Sequence, residues 1–333
     1  MARNLPKQLR KVTDKALLRS LEQGLEQVEV ALEQAVAHTD PIAKVTARHL
    51  SSAGGKRVRP TLVLLTSLFG EGVNEQIVDA SVVVELTHLA TLYHDDVMDD
   101  APMRRGVPTA HEIWGNSVAI LTGDLLFARA SQVVSKLGAR ALTLQADTFE
   151  RLCLGQLHET VGPQEGDEPV AHYIQVLADK TGSLIAAAAE LGIMFSGASD
   201  DFRAPVREYG EKIGVAFQLI DDVIDLQSDG KTSGKTQGTD LLAGVDTLPT
   251  LYLRQIASND AAAAELVARI DSVTPETLAG VVADLGAHEA TQRAYEEAKR
   301  WADEAVEALA PLPDGPAKQA MTAFAEAVVD RQQ

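Results

Sequence analysis

Apolar residues return every three or four positions through nearly every segment of the chain, and strict two-residue alternation is hard to find. That period predicts helices throughout. The segments fall at about 9–37, 40–52, 58–69, 74–99, 109–114, 116–137, 139–161, 167–197, 200–228, 247–257, 260–271, 275–285, 288–310 and 315–330. Three stretches break the pattern sharply: Ser51–Arg59, Asp100–Pro108 and Ser228–Gly244 each mix Gly or Pro with Lys or Arg, and are expected to be loops. Beyond about residue 258 the chain is richer in Ala and Glu, as flanking helices would be. No solenoid-length repeat and no low-complexity linker interrupts it. The expectation is one all-α domain over residues 1–333, a single large helical bundle.

Composition narrows the reading. With 45% hydrophobic but only 4% aromatic residues, the core must be built from Ala, Val, Leu and Ile. A net charge of -18 argues against nucleic acid or an anionic membrane surface as a general partner. Any anionic substrate must therefore meet a local cluster of cations or metal. The single Cys153 cannot form an internal disulfide; within Arg151-Leu152-Cys153-Leu154 it reads as a small buried hydrophobe, and a reducing, cytoplasmic setting follows. The N-terminus mixes Lys7, Arg10, Lys11 and Lys15 with apolar residues at helical spacing, unlike a signal peptide. Even the apolar stretch from Ala186 to Phe195 is broken by Glu190, so no transmembrane span is expected.

The chemistry concentrates in two acidic motifs, Asp95-Asp96-Val97-Met98-Asp99 and Asp221-Asp222-Val223-Ile224-Asp225. In each, the first and fifth residues are four apart, so on a helix their carboxylates share one face a turn apart and repel by a few tenths of a kcal/mol. Apolar neighbours such as Leu92, Val97, Leu219 and Ile220 place both motifs in partly buried surroundings, and no Lys or Arg is interleaved to compensate. A divalent cation with oxygen ligands is the natural compensator. Paired carboxylates that leave room for water and phosphate oxygens suit Mg²⁺. EF-hand and zinc readings fail for want of the loop glycines and the Cys/His clusters. The bland alternative for one such motif is a solvated acidic helix end; two copies embedded in apolar helix weigh against it. Ahead of the first motif, Gly54-Gly55-Lys56-Arg57-Val58-Arg59-Pro60 sets three cations where glycines let backbone amides approach an anion. His88 lies seven residues before Asp95, two turns along the same face.

These motifs, with the ordered stretches GGKRVRP, HLATLYHDDVMDDAPMRRG, GDLLFARA, DKTGSL, FQLIDDVIDL and GKTQGTDL from Gly54 to Pro249, resemble the trans-prenyltransferases of the polyprenyl synthetase family. The resemblance implies an isoprenoid-synthase bundle around a central apolar cavity, and ionisation, condensation and elimination of an allylic diphosphate with isopentenyl diphosphate. It implies Mg²⁺, about three ions once substrate is bound, and a homodimer. By motif position Asp95, Asp99 and Asp221 are the metal ligands, with Asp96, Asp222 and Asp225 in support. Arg104, Lys180, Thr181, Gln218 and Lys235 match positions that contact the allylic diphosphate, and Lys56, Arg59, His88 and Arg105 those that hold isopentenyl diphosphate. Lys235 sits in a Gly-bounded turn as a lid residue, whereas Lys231 reads as an ordinary surface lysine. No side-chain base is assigned; the family mechanism gives the proton to the departing diphosphate. Two positions depart from the family: Val245 stands where many relatives carry Lys, and Tyr93 where they often have Leu or Ile.

Short-chain relatives often place an aromatic plug four or five residues before the first aspartate, where this chain has Thr91 and Ala90. The small pair resembles long-chain synthases and implies a product of roughly thirty carbons or more. Phe127 and Phe149 are candidates for a deeper floor. A farnesyl or geranylgeranyl diphosphate synthase is the nearest rival. A terpene cyclase would leave Lys56, Arg59, His88 and Arg105 without purpose, and a non-catalytic regulatory subunit would be expected to have lost the aspartates.

Overall fold

The computed structural model describes residues 15–37, 40–227 and 237–330, and its helices end close to where the apolar period stops. In chain order they are α1 (Lys15–Ala35), α2 (Pro41–Ser52), α3 (Val58–Ser67), α4 (Glu75–Met98), α5 (Ala110–Trp114), α6 (Asn116–Leu137), α7 (Ala139–Val161), α8 (Pro169–Leu177), α9 (Ser183–Phe195), α10 (Arg203–Gln227), α11 (Thr239–Leu242), α12 (Leu248–Ala257), α13 (Ala261–Asp271), α14 (Leu278–Ala287), α15 (Glu289–Ala308) and α16 (Pro316–Val329). The expected 167–197 helix is divided: a π-turn, Ala178–Gly182, separates α8 from α9. The Asp100–Pro108 loop contains a small antiparallel hairpin, β1 (Met103–Arg104) and β2 (Val107–Pro108), in which Met103 pairs with Pro108 and Arg104 with Val107.

The chain forms two compact units. The first holds the residues up to Glu150, Leu184–Gly210 and Leu309–Phe324; the second holds Arg151–Ser183, Glu211–Ala308 and the residues from Ala325. In the first unit α4 is buried on almost every side, including the consecutive run from Ser81 to Thr87, as a helix enclosed by others must be. Val28 and Leu32 of α1, Leu50 of α2, Leu86, Leu89, Ala90 and Tyr93 of α4, and Leu126 and Ala130 of α6 form one apolar cluster. Asn74 starts α4 by accepting from the Ile77 amide at 2.9 Å, and its Nδ2 donates to the Phe195 carbonyl at 2.8 Å. Tyr93, a departure in sequence, has a structural purpose: its hydroxyl donates to the Thr46 carbonyl at 2.5 Å and accepts from the Leu50 amide at 3.2 Å, pinning α2 to α4.

Helix α6 is long and apolar enough to cross a membrane by length and composition, which counting unbroken apolar runs overlooked. Its residues Ala119, Thr122, Gly123, Leu126, Ala130 and Val134 are buried at three- and four-residue spacing, while Ile120 and Leu121 are exposed. Gly123 allows close approach, since a Cβ there would lie 2.3 Å from His94 Nε2. Cys153 is exposed, not buried as its sequence neighbours suggested. The inward line of α7 runs through Ala141, Gln145, Thr148 and Leu152, and Cys153, one residue on, is rotated about 100° away from it.

In the second unit the Ala- and Glu-rich segment folds as expected into helices. Ala290, Ala294, Ala298, Ala302 and Ala305 bury one line of α15, and Leu248 and Leu253 of α12, Leu266 and Ile270 of α13 and Val281 and Leu285 of α14 complete a core of aliphatic side chains. Arg293 covers the Tyr252 ring at 3.9 Å.

Gly192 of α9 is the tightest approach in the first unit: a Cβ there would fall 1.9 Å from Thr66 Oγ1 and 2.4 Å from the Val63 carbonyl. Gly192→Ala should destabilise by about 3 kcal/mol, while Gly280→Ala on α14, whose nearest neighbour would be Arg269 Nη2 at 3.8 Å, should be neutral or stabilise by roughly 0.5–1 kcal/mol. Urea unfolding of the two variants checks the contrast. Tyr93→Phe should cost about 1–2 kcal/mol in the same measurement, because both hydrogen bonds that tie α4 to α2 through the buried hydroxyl are lost.

Candidate active site

The C-terminal end of α4 carries the first acidic motif. Asp96 is 1% exposed and accepts from Arg104 Nε at 2.6 Å, whereas Asp95 is partly exposed and Asp99 exposed. Burial raises the Asp96 carboxyl above its ordinary range, against the opposing charge and hydrogen bond of Arg104. Its Oδ2 is buried and makes no hydrogen bond. Arg104 arrives from β1, so the hairpin that the period did not show delivers this cation. His111 of α5 is also buried, with neither ring nitrogen hydrogen-bonded, 3.8 Å from Asp100 Oδ1.

The Gly54–Pro60 loop and the hairpin supply the cations. Three non-glycine residues have left-handed backbone among the described residues, Arg57 (φ 48°), Asp100 (φ 48°) and Arg105 (φ 54°). All three lie in the loops around α4. Each such conformation costs of order 1 kcal/mol and persists only where its surroundings hold it. Arg57 donates to both Glu29 oxygens at 2.6 and 3.1 Å, to Glu85 at 2.7 Å and to the Ser51 carbonyl at 3.2 Å. Of the three cations in this loop, Arg57 is therefore an internal fastener. Arg59 differs: its Nε is buried without a hydrogen bond, and burial lowers its pKa to about 10, leaving it charged at neutral pH. Arg105 donates to the Leu50 carbonyl at 3.0 Å and to the Gly54 carbonyl, and its guanidinium packs against Gly55, where a Cβ would stand 3.0 Å away. Lys56 is exposed. His88 is pushed well below its ordinary pKa by burial first, then by Arg59, Arg105, Arg104 and Arg57, so it faces these cations as a neutral imidazole.

The structure thus brings Arg59, Arg104, Arg105 and His88 together beside Asp95 and Asp96. Ala90 is fully buried in the apolar cluster, while Thr91 is partly exposed and its hydroxyl donates to the His88 carbonyl at 2.9 Å. Phe127 and Phe149 stack with ring centroids 3.8 Å apart.

The second unit carries the second motif on α10. Asp222 is buried and accepts from the Tyr173 hydroxyl at 2.7 Å. Burial, then the charges of Asp240 and Asp221, raise its pKa well above the ordinary value, against hydrogen bonds from Tyr173 and Gln218. Asp221 and Asp225, four apart on α10, are partly exposed. The π-turn presents Lys180 and Thr181. Lys180 Nζ donates to Glu159 Oε2 at 2.5 Å, and the turn seats on Gly155, where a Cβ would meet the Lys180 amide at 2.7 Å. Arg151 secures the same turn by donating to Asp179 at 2.8 Å and to both Glu211 oxygens at 3.1 Å. Val245 is exposed, and the charge of neighbouring Asp246 is taken up by Arg254, whose Nε and Nη2 donate to it at 2.9 and 3.1 Å. Lys235 and Lys231 lie outside the described residues.

Sequence reasoning missed Glu29, Arg57 as an internal group, Glu85, Tyr173 and Asp240. No short-range signal marks them, since their partners lie tens of residues away. As to metal, among the described residues no three His, Cys, Asp or Glu side chains converge into a closed cage. What is present is an open set of oxygen donors, with a buried Asp96 Oδ2 lacking a partner. That set fits a hard divalent cation that completes its shell with water and substrate oxygens.

Comparison with known proteins agrees with this chemistry. The polyprenyl synthetase family model matches residues 40–284. A nonaprenyl diphosphate synthase of Mycobacterium tuberculosis is 40% identical over 92% of this chain and 92% of its own. A geranylgeranyl pyrophosphate synthase from Corynebacterium glutamicum, solved with calcium and isoprenyl diphosphate, superposes with a TM-score of 0.83 at 39% identity over 96% of this chain and 98% of its own. A polyprenyl synthase from Caulobacter crescentus, solved with the same ligands, gives 0.87 at 30% identity over 97% and 99%. With its helical fold and nearly its whole length shared with these enzymes, the chain belongs to the polyprenyl synthetase family of prenyltransferases.

Proposed function

We propose that the protein joins isopentenyl diphosphate head-to-tail to an allylic diphosphate, repeatedly, giving an all-trans polyprenyl diphosphate of about thirty carbons or more, and that residues 1–333 act as one polyprenyl synthetase domain. The observation that carries the reading is the enclosed arginine cluster at α4: Arg59, with a buried and unpartnered Nε, beside a neutral His88 and Arg105. Such a cluster calls for a multiply charged anion. It also distinguishes a condensing enzyme from one that only ionises its substrate.

In this reading Arg59, Arg105, Lys56 and His88 hold the isopentenyl diphosphate, the arginines through their planar forks and His88 as a neutral donor. Arg104, Lys180, Thr181, Gln218 and Lys235 hold the allylic diphosphate. Asp95, Asp99 and Asp221 would hold Mg²⁺, with Asp96, Asp222 and Asp225 in support; the ions supply charge that stabilises the departing diphosphate. The allylic carbon–oxygen bond breaks, the isopentenyl double bond forms the new carbon–carbon bond, and the proton lost in restoring a double bond goes to the departing diphosphate. Lys180 and Arg104 stabilise the charge that develops on that leaving group more than the charge before it. Aliphatic walls exclude the water that would quench the cation.

Small side chains before Asp95 support the long product. Thr91 is the more telling of the two, because Ala90 is sealed in the apolar cluster. The likeness to a geranylgeranyl pyrophosphate synthase at 39% identity favours, as a second reading, a shorter product made by the same chemistry. A homodimer is supported by the exposed apolar pair Ile120 and Leu121 on α6, and a reducing, cytoplasmic location by the lack of any second cysteine.

Purified protein given Mg²⁺, labelled isopentenyl diphosphate and farnesyl diphosphate should yield a product ladder ending at about thirty carbons or beyond. A stop at fifteen or twenty would select the second reading, and no incorporation would favour a regulatory subunit. EDTA should abolish turnover, and Asp95→Ala should lower kcat by roughly a thousandfold. Thr91→Phe should shorten the products without a comparable loss of isopentenyl incorporation; an unchanged ladder would remove Thr91 from the chain-length role.

A further inference from the structure

Glu85 is a carboxylate set among cations. It is 2% exposed in α4, one turn before His88. Its Oε1 accepts from Arg57 Nη1 at 2.7 Å and lies 3.9 Å from Arg105 Nη2. Of the charges that favour the ionised guanidinium of Arg59, Glu85 is the strongest, ahead of Asp95.

Neither adjoining arginine needs Glu85 to stay where it is. Arg57 keeps both oxygens of Glu29 and the Ser51 carbonyl, and Arg105 keeps the Leu50 and Gly54 carbonyls. What Glu85 adds is charge. Three guanidiniums share one partly buried region; of the other carboxylates near them, Asp95 acts on Arg59 less strongly than Glu85 does, and Glu29 is half-exposed and bonded to Arg57 alone among the three. A buried charge without a counter-charge is costly, and the repulsion among like charges in a low-dielectric region adds to it.

We propose that Glu85 is the internal counter-ion of the isopentenyl diphosphate site: it neutralises the Arg57, Arg59 and Arg105 cluster when no ligand is bound and so holds down the affinity of that cluster for diphosphate. The proposal rests on the assignment of Arg59 and Arg105 to that ligand. Glu85 acts through the arginines and touches no reacting atom. When diphosphate arrives, its own charge takes over the compensation, and the glutamate then opposes binding.

Thermal unfolding of the full chain in EDTA, titrated with inorganic diphosphate, tests this with Glu85→Gln and Arg59→Gln; EDTA removes the metal-dependent mode of diphosphate binding. Without ligand, Glu85→Gln should melt below the parent. It should reach half of its diphosphate-induced rise at about tenfold lower concentration than the parent, and Arg59→Gln should lose the rise. If Glu85→Gln needs the same or more diphosphate while Arg59→Gln still loses the response, the counter-ion role falls and the ligand assignment stands. If both variants respond as the parent does, the ligand assignment itself fails. Should Glu85→Gln not accumulate folded, diphosphate in the purification buffers should recover it. Aggregation that diphosphate does not relieve would overturn the proposal, because the glutamate would then be fixing geometry.

Discussion

A helix enclosed on nearly every side can carry ionisable groups only if each is answered by a partner, and α4 carries Glu85, His88 and Asp96 along its buried length. The surrounding structure supplies those answers. Arg57 and Arg105, both with left-handed backbone, lie beside Glu85, and the β1–β2 hairpin carries Arg104 back onto Asp96. His88 resolves its position by giving up its charge. The Ser51–Arg59 and Asp100–Pro108 segments, irregular by period, are therefore tied down by charge.

The second unit repeats the constraint with different means. Asp222 is as buried as Asp96 but, among the described residues, has no arginine bonded to it; a tyrosine hydroxyl and an amide hold it instead. Neutral donors stabilise a carboxylate without cancelling its charge. Two motifs that differ only in Met98 against Ile224 thus hold their buried carboxylates by different means.

The helices were legible because each buries one face, and burial writes its period into the sequence. Phase was less legible: Leu152 and Cys153 are both plausible core residues, and only the line through Ala141, Gln145 and Thr148 decides that Cys153 faces out. Elements too short to show a period, the hairpin and α11, left no trace. In the site, the aspartates announced themselves by local spacing. Which cations are bonded internally did not: Arg57 and Arg59 stand two residues apart at the start of α3, and their difference lies in Glu29 and Glu85, each 28 residues from Arg57. Nothing near either arginine in the chain predicts that.

The π-turn at Ala178–Gly182 has a bearing on how this chain can change length. A π-turn is a regular helix holding one surplus residue. Upstream of it Tyr173 is aimed at Asp222, and within it Lys180 is aimed at Glu159. Losing a single residue between Tyr173 and Lys180 would close the turn into ordinary helix and rotate one of these side chains by about 100° relative to the other, so the two contacts could not both survive. Insertions and deletions should be tolerated in the exposed 162–168 connection and excluded from the five residues of the turn, which makes the segment a fixed ruler in an otherwise adjustable chain.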